Sequence, residues 1–447
     1  MASSTVLLEL GSGPDTAQIG ADVEPTDTSY LPPVDSGRAA WLFLAGSFCV
    51  ETLIWGFPFS FGVLQDYYST HPPFSYNASG ISAVGTTCSG LLYLGAPPVF
   101  LAFQKWPKFL HRSLIIGLPI VVLAVFLSSF ATATWHLILT QGILYAIGGN
   151  FLYYPIYVFI DEWFVRRKGL AYGVMWAGSG CGGLAGPLVL NWGLKNYGAE
   201  TFLRGWAVAL LLLVAPFLLF IKARLPLSRH HQVPVRTIAA GFGFLKTKQF
   251  WAIETCNIIQ GLGYFIPALY LPTYARLNNS DLGSFLVSLL NIAQVPGVMF
   301  LSMLSDRVSV YTILLISSLG STLSVFLLWG LSGSSTGLLV AFALCYGAFA
   351  GGFTAVYAGA AKELRRVTPG GETGRADLGS MLGLLGGGRG IGNVACGPVS
   401  EALLRHRTGW KEVAGGYYGS FGPLIIFAGT TAALTMSAWL AKVTKLL

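Results

Sequence analysis

Two ionisable residues stand deep inside long apolar stretches, and they have the most chemistry to offer. Arg389 is flanked by Gly386, Gly387, Gly388, Gly390 and Gly392. Those glycines leave room around a guanidinium, whose planar fork suits a carboxylate or an enolate. The structural alternative is an Arg paired with a Glu or a backbone carbonyl of a neighbouring segment. Glu51 lies about twelve residues into its own stretch. A carboxyl held away from water favours its neutral form, so Glu51 is the candidate proton carrier. A permanently protonated or Arg389-paired Glu51 is the alternative. Glu254 comes only a few residues after its stretch begins and reads as interfacial. Asn150, Tyr154, Asn257, Gln260, Tyr264, Asn291, Gln294, Tyr346 and Tyr357 are neutral polar residues at depth. With Trp55, Phe57 and Phe59 they suggest an aromatic-rich cavity for a larger, partly apolar solute. The candidate solute-binding set is Arg389, Tyr154, Tyr264, Asn291, Gln294, Tyr357 and Phe59.

Enzymatic chemistry is not expected. The run GLLGGGRGIG at 383–392 lacks the Gly-Lys-Ser/Thr of a phosphate loop. The HExxH pattern does not occur, and neither a cofactor nor ATP as the energy source is expected. The six thiols, Cys49, Cys88, Cys181, Cys256, Cys345 and Cys396, are scattered without a CxxC. They read as small buried hydrophobes rather than as metal ligands or disulfide partners.

The elements that must position these residues follow from composition. Of 447 residues only 10% are charged and 53% are hydrophobic, against roughly 25% charged in an average soluble domain. So few charges cannot cover a soluble protein of this size, and the chain reads as an all-α integral membrane protein. Disordered, collagen-like, disulfide-scaffold and nucleic-acid-binding classes are excluded. Residues 1–38 form a polar cytoplasmic tail, disordered over at least 1–35, with neither a secretory signal nor a transit peptide. Beyond it, apolar runs of about 20 residues recur, the length a helix needs to cross the hydrocarbon core. They fall near 39–62, 78–102, 112–131, 135–159, 169–194, 203–222, 249–270, 281–303, 309–330, 336–361, 377–404 and 419–441, which makes twelve transmembrane helices. With the tail inside, the inner segments hold twenty Lys or Arg and the outer loops six. That bias puts both termini in the cytoplasm. The sequons at Asn77 and Asn278 then fall in outer loops and are candidate glycosylation sites. A linker at 223–248 divides an N-terminal six-helix bundle, 39–222, from a C-terminal one, 249–447. The halves also echo each other: Gly178, Gly182, Gly183 and Gly186-Pro187 in span 5 match Gly386, Gly387, Gly388 and Gly397-Pro398 in span 11.

Repeated halves joined by a long middle linker resemble the major facilitator superfamily. The stretch DEWFVRRKGLAYGVMWAGSGCGG at 161–183 is more specific. It is similar to the span-5 motif of the monocarboxylate porter branch, and FGVLQDYY from Phe61 and YFIPALYLPTYA from Tyr264 are similar to that branch's fungal-type members. The resemblance implies two pseudo-symmetric six-helix bundles, with spans 1, 4, 7 and 10 lining a central cavity. It also implies that the charged groups handling proton and carboxylate in animal members would fall on Phe59, Gln294 and Val298, none of which is charged here. The opening acidic-Gly-aromatic motif is reduced to Asp35-Ser36-Gly37 followed by Arg38. Asp161, Glu162, Arg166 and Arg167 could form a latch closing the cytoplasmic face, the basic residues being topology anchors in the other reading. Asp306-Arg307 resembles the superfamily's short inner-loop motif and would be the counterpart.

The expected function is secondary active transport by alternating access, linked to a proton or solute gradient. The partners are the lipid bilayer, protons and a small organic solute, with no nucleic acid. The solute class is an organic anion or a weakly acidic hydrophobic metabolite, with secondary-metabolite efflux favoured because aromatics abound where the small-acid carriers have charges. Import of a small monocarboxylate or vitamin, and a sensor that binds without transporting, are the alternatives. The expected location is the cell membrane as a multi-pass protein, or else a vacuolar or other organellar membrane.

Overall fold

The computed structural model describes residues 31–225, 243–278, 280–305, 307–368, 378–405, 415–417 and 421–444. Most of the expected disordered tail, the greater part of the linker and Asp306 lie outside the described residues. In chain order the helices are α1 Arg38–Phe59, α2 Phe61–Thr70, α3 Ile81–Leu94, α4 Ala96–Lys105, α5 Pro107–Ser128, α6 Thr134–Leu137, α7 Tyr145–Trp163 and α8 Lys168–Leu218. There follow α9 Lys248–Tyr264, α10 Ile266–Leu277, α11 Gly283–Ser305, α12 Val310–Leu323, α13 Thr336–Gly351, α14 Val356–Val367, α15 Leu378–Arg405, α16 Gly422–Leu434 and α17 Ser437–Val443. Hydroxyl side chains cap the starts of α9 and α12. Thr247 accepts the N–H of Phe250, and Ser309 that of Thr312, both at 3.3 Å.

Eight helical stretches among the described residues are long and apolar enough to cross a membrane, by length and composition. The sequence reading expects twelve, and the difference has physical causes. Lys168–Leu218 runs for 51 residues; a straight helix of that length would reach about 76 Å, far beyond the ~30 Å hydrocarbon core. Gly198, at φ 71°, ψ 168°, divides it into two helices at a kink. In α13 there are only 16 residues. The α9–α10 stretch breaks at Phe265 and carries Glu254, Asn257 and Gln260, while α15 holds Arg389, Glu401, Arg405 and several glycines. Polar residues and glycine lower the hydropathy of segments that serve the interior rather than the lipid.

The periphery fits a hydrocarbon solvent. Ile115, Leu212, Leu219 and Met303 leave 66–71% of their surface exposed, which an aqueous surface disfavours and lipid does not. Cys181 is exposed, against the expectation of burial. Inside, helices meet through small residues, because lipid offers no hydrophobic drive for their association. On α8, Gly182 meets Gly56 of α1, and a Cβ at 182 would stand 2.9 Å from the Gly56 Cα and overlap the Thr52 carbonyl. On α15, Gly390 lies against Gly90 of α3, a Cβ at 390 standing 2.6 Å from its carbonyl oxygen. Pro58 inside α1 is followed by Ser60, whose hydroxyl donates to the Gly56 carbonyl of the previous turn at 2.6 Å.

Candidate functional site

Two bands of polar contact frame the interior. At the end nearest the N-terminus lie the acids and the Arg pair of the expected latch. Asp161 pairs with Lys168 at 3.0 Å and accepts the Tyr172 hydroxyl at 3.2 Å. Glu162 accepts the backbone N–H groups of Arg224 and Leu225 at 2.8 and 3.0 Å. Arg166 and Arg167 contribute their backbone: with Val165 they donate N–H groups to the Asp35 carboxylate at 2.9–3.0 Å. Those bonds, led by the one from Arg166, hold the Asp35 carboxyl below its ordinary value of 3.8. These contacts tie N-terminal helices to one another. Of the expected counterpart, Arg307 is exposed and Asp306 lies outside the described residues.

The links between N- and C-terminal helices gather toward the opposite end. Asp66 of α2 pairs with Arg276 of α10 at 3.0 Å. Glu401 of α15 accepts the Ser79 hydroxyl at 2.9 Å and the Gly80 N–H at 2.6 Å. Asn291 of α11 donates to the carbonyls of Phe59 and Gly183 at 3.3 and 3.1 Å, and Phe59 stacks on Phe265 with centroids 5.9 Å apart. Asn291 and Phe59, both in the expected solute-binding set, therefore also join the two groups of helices. Asn77 is exposed, whereas the amide of Asn278 donates to the Tyr274 carbonyl at 3.0 Å.

Between these bands lies Arg389, with no exposed surface. Its guanidinium carbon is 4.2 Å from the ring centre of Tyr264 on α9 and 5.5 Å from that of Tyr93 on α3. Tyr357 is close enough for electrostatic contact. The hydroxyls of Tyr357, Tyr93 and Tyr264 stand in loose polar reach, yet none is placed for a well-formed hydrogen bond, and Nε, Nη1 and Nη2 lack such a partner among the described residues. Each cation–π contact is worth about 0.5–2 kcal/mol, whereas the effective penalty for burying an ion is several kcal/mol. The rings cushion the charge but do not balance it. The alternative Glu51–Arg389 pair is not seen among the described residues: Glu51 is 2% exposed and its Oε2 has no hydrogen-bond partner there. Tyr93 stands within electrostatic reach of both groups.

The rest of the expected set divides by what each hydroxyl or amide already holds. Tyr154 donates to the Leu92 carbonyl at 2.6 Å, a bond within the N-terminal helices. Tyr357 donates to Asn257 Oδ1 at 2.9 Å, and Asn257 in turn donates to the Leu385 carbonyl. Gln294 is half-buried and packs on Gly351. The sequence reading missed an aromatic wall. Trp55 meets Tyr93 at 4.8 Å and Tyr153 at 5.6 Å, and the series continues through Tyr157 and Tyr172 to Trp176 at centroid separations of 4.9–5.7 Å. A signal was available, since Glu51 and Trp55 are four apart on α1 and Tyr153 and Tyr157 four apart on α7. Glu254 is 7% exposed, and its carboxylate lies against Gly388, next to Arg389. Asn393, also overlooked, has no exposed surface and neither amide atom is partnered among the described residues. The site can hold an anion and stack a flat apolar body. Among the described residues it contains no cluster suited to a metal ion.

The fold is shared with a solved transporter. The nucleoside transporter NupG superposes with a TM-score of 0.67 at 16% identity, covering 91% of this chain and 99% of that one. No family model matches the chain. The MFS-type transporter pytF of Aspergillus terreus is 30% identical over 299 residues, which is 64% of this chain and 95% of that protein. The chain belongs to the MFS-type transporters. Membership accounts for the all-helical body with its apolar surface, and its relatives are transporters rather than enzymes. Among MFS-type relatives, the fujikurins efflux protein of Gibberella fujikuroi is 26% identical over 388 residues, covering 85% of this chain and 80% of that protein.

Proposed function

We propose that the chain is a twelve-span secondary active transporter that exports an organic anion or a weakly acidic, hydrophobic secondary metabolite by alternating access. The observation that carries this reading is Arg389, fully buried among Tyr93 and Tyr264 with three nitrogens lacking hydrogen-bond partners among the described residues. A buried cation without a counter-charge is costly, and in a membrane protein such a residue marks a solute pathway by default. An incoming carboxylate or enolate supplies the missing acceptors, while the aromatic wall takes up the apolar body. The efflux activity named for the Gibberella fujikuroi relative supports export. In this reading Glu51 carries the exchanged proton, the helices of 39–222 and 249–447 rock against each other, and both termini face the cytoplasm of a cell-membrane protein related to the monocarboxylate porter branch.

Flux of benzoate, a simple aromatic acid, into proteoliposomes tests the assignment. Arg389→Ala should reduce saturable benzoate flux at least about tenfold while membrane insertion and monodispersity are retained. Unchanged uptake kinetics would remove Arg389 from the site and the anion reading with it.

A further inference from the structure

The orphaned guanidinium is not alone. Asn393 follows Arg389 by four residues on α15, so the two side chains leave the same face about one turn apart. Both have no exposed surface. Between them they present five side-chain polar atoms, Arg389 Nε, Nη1 and Nη2 and Asn393 Nδ2 and Oδ1, without hydrogen-bond partners among the described residues. Ile391 lies about 200° around the helix from each and is 52% exposed, which sets their shared face toward the interior. The flanking faces are taken up by backbone packing: Gly390 meets Gly90 of α3, and Gly392 meets Gly261 of α9. The Arg389–Asn393 face is thus the one side of this helix segment whose polar groups are left for something else.

Buried polar atoms are nearly always bonded, and one left unpaired carries its full desolvation cost. An acid alone would satisfy the guanidinium and leave the amide unmet. We propose that Arg389 and Asn393 form a two-point polar site, and that the solute is an acid bearing a second hydrogen-bonding oxygen, hydroxyl or carbonyl, on a flat aromatic or conjugated body. The acidic oxygens meet the Arg389 fork. The second oxygen meets Asn393, whose amide both donates and accepts and so receives either a hydroxyl or a carbonyl. Tyr93 and Tyr264, whose faces already hold the guanidinium, flank the body. Asn393 therefore sets specificity, and this assignment rests on the anion reading of Arg389.

The test uses the full-length protein in lipid nanodiscs and three probes: benzoate, 3-hydroxybenzoate and 4-hydroxybenzoate. The wild-type chain should bind at least one hydroxylated probe about tenfold more tightly than benzoate, the gain expected when a buried polar group finds its partner. Asn393→Leu keeps the bulk and removes both polar atoms, so the preference should fall to about one. Asn393→Ser, which keeps a donor and an acceptor, should restore part of it. The preference is a ratio within each variant, so a general loss of folded protein does not move it. A preference that survives Asn393→Leu, while Arg389→Ala abolishes binding of all three probes, overturns the role of Asn393 and leaves the anion reading standing. Benzoate binding untouched by Arg389→Ala, or no saturable binding of any probe to the wild type, sinks both.

Discussion

A buried side chain in this protein is informative according to whether its polar atoms are spoken for. The hydroxyls of Tyr154 and Tyr357 are engaged with other groups of the protein. Arg389, Asn393 and Oε2 of Glu51 lack partners among the described residues. Glu51 packs close to Gly178 of α8, where a Cβ would lie 3.0 Å from its own, so its surroundings leave little room for water. In the proton-exchange reading, Glu51→Gln should uncouple flux: benzoate should still equilibrate across proteoliposomes, but an imposed pH gradient should no longer drive its accumulation. Persistent pH-driven accumulation excludes Glu51 as the carrier. Asp35 shows the opposite behaviour at the membrane edge. Its carboxyl is held low by the Arg166, Arg167 and Val165 N–H groups. The stabilisation it gives is therefore present above its ordinary value of 3.8 and is lost as pH falls through the lowered value of the folded state.

Helix pairing depends on glycine at a few crossings rather than on interlocking large side chains. The α1–α8 crossing is a tight test, because Gly56 and Gly182 face each other and the Thr52 carbonyl occupies the space a Cβ at 182 would need. Backbone cannot yield as a flexible side chain can, so the helices must separate. Gly182→Leu should destabilise the protein by about 1–3 kcal/mol or more, read as a lower thermal midpoint in detergent. Gly173→Leu is the matched control, since a Cβ there meets nothing within 4 Å. Equal midpoints for the two variants would show that the crossing tolerates a side chain and is not held by backbone contact.

Across the whole molecule, polar links between the N- and C-terminal helices gather away from the N-terminus. The Asp66–Arg276 pair is partly exposed, at 19% and 43%, so its contribution is at most about 1 kcal/mol. Weak links of this kind suit the alternating access proposed above. The double variant Asp66→Asn, Glu401→Gln should shift the population toward an open face by a few-fold. Spin labels at Tyr76 and Leu277, both exposed, should report longer separations by dipolar spectroscopy in a background cleared of native cysteines. An unchanged distance distribution would show that these links do not hold the face shut.

The membrane-embedded, all-helical character and the depth of Arg389 and Glu51 were legible in the sequence, because hydrocarbon imposes length and apolarity on a spanning helix whatever packs beside it. The stretch at 161–183 did not disclose how its residues are used, since Arg166 and Arg167 act there through backbone N–H groups that no side-chain type announces. Tertiary structure decided which polar atoms have partners. The burial of Glu254, the isolation of Arg389 from Glu51, the sandwich of Tyr93 and Tyr264, and the empty-handed amide of Asn393 all depend on how α3, α9 and α15 sit around one another. A sequence states which groups can bond, and only the packing of helices decides which of them are left over for a solute.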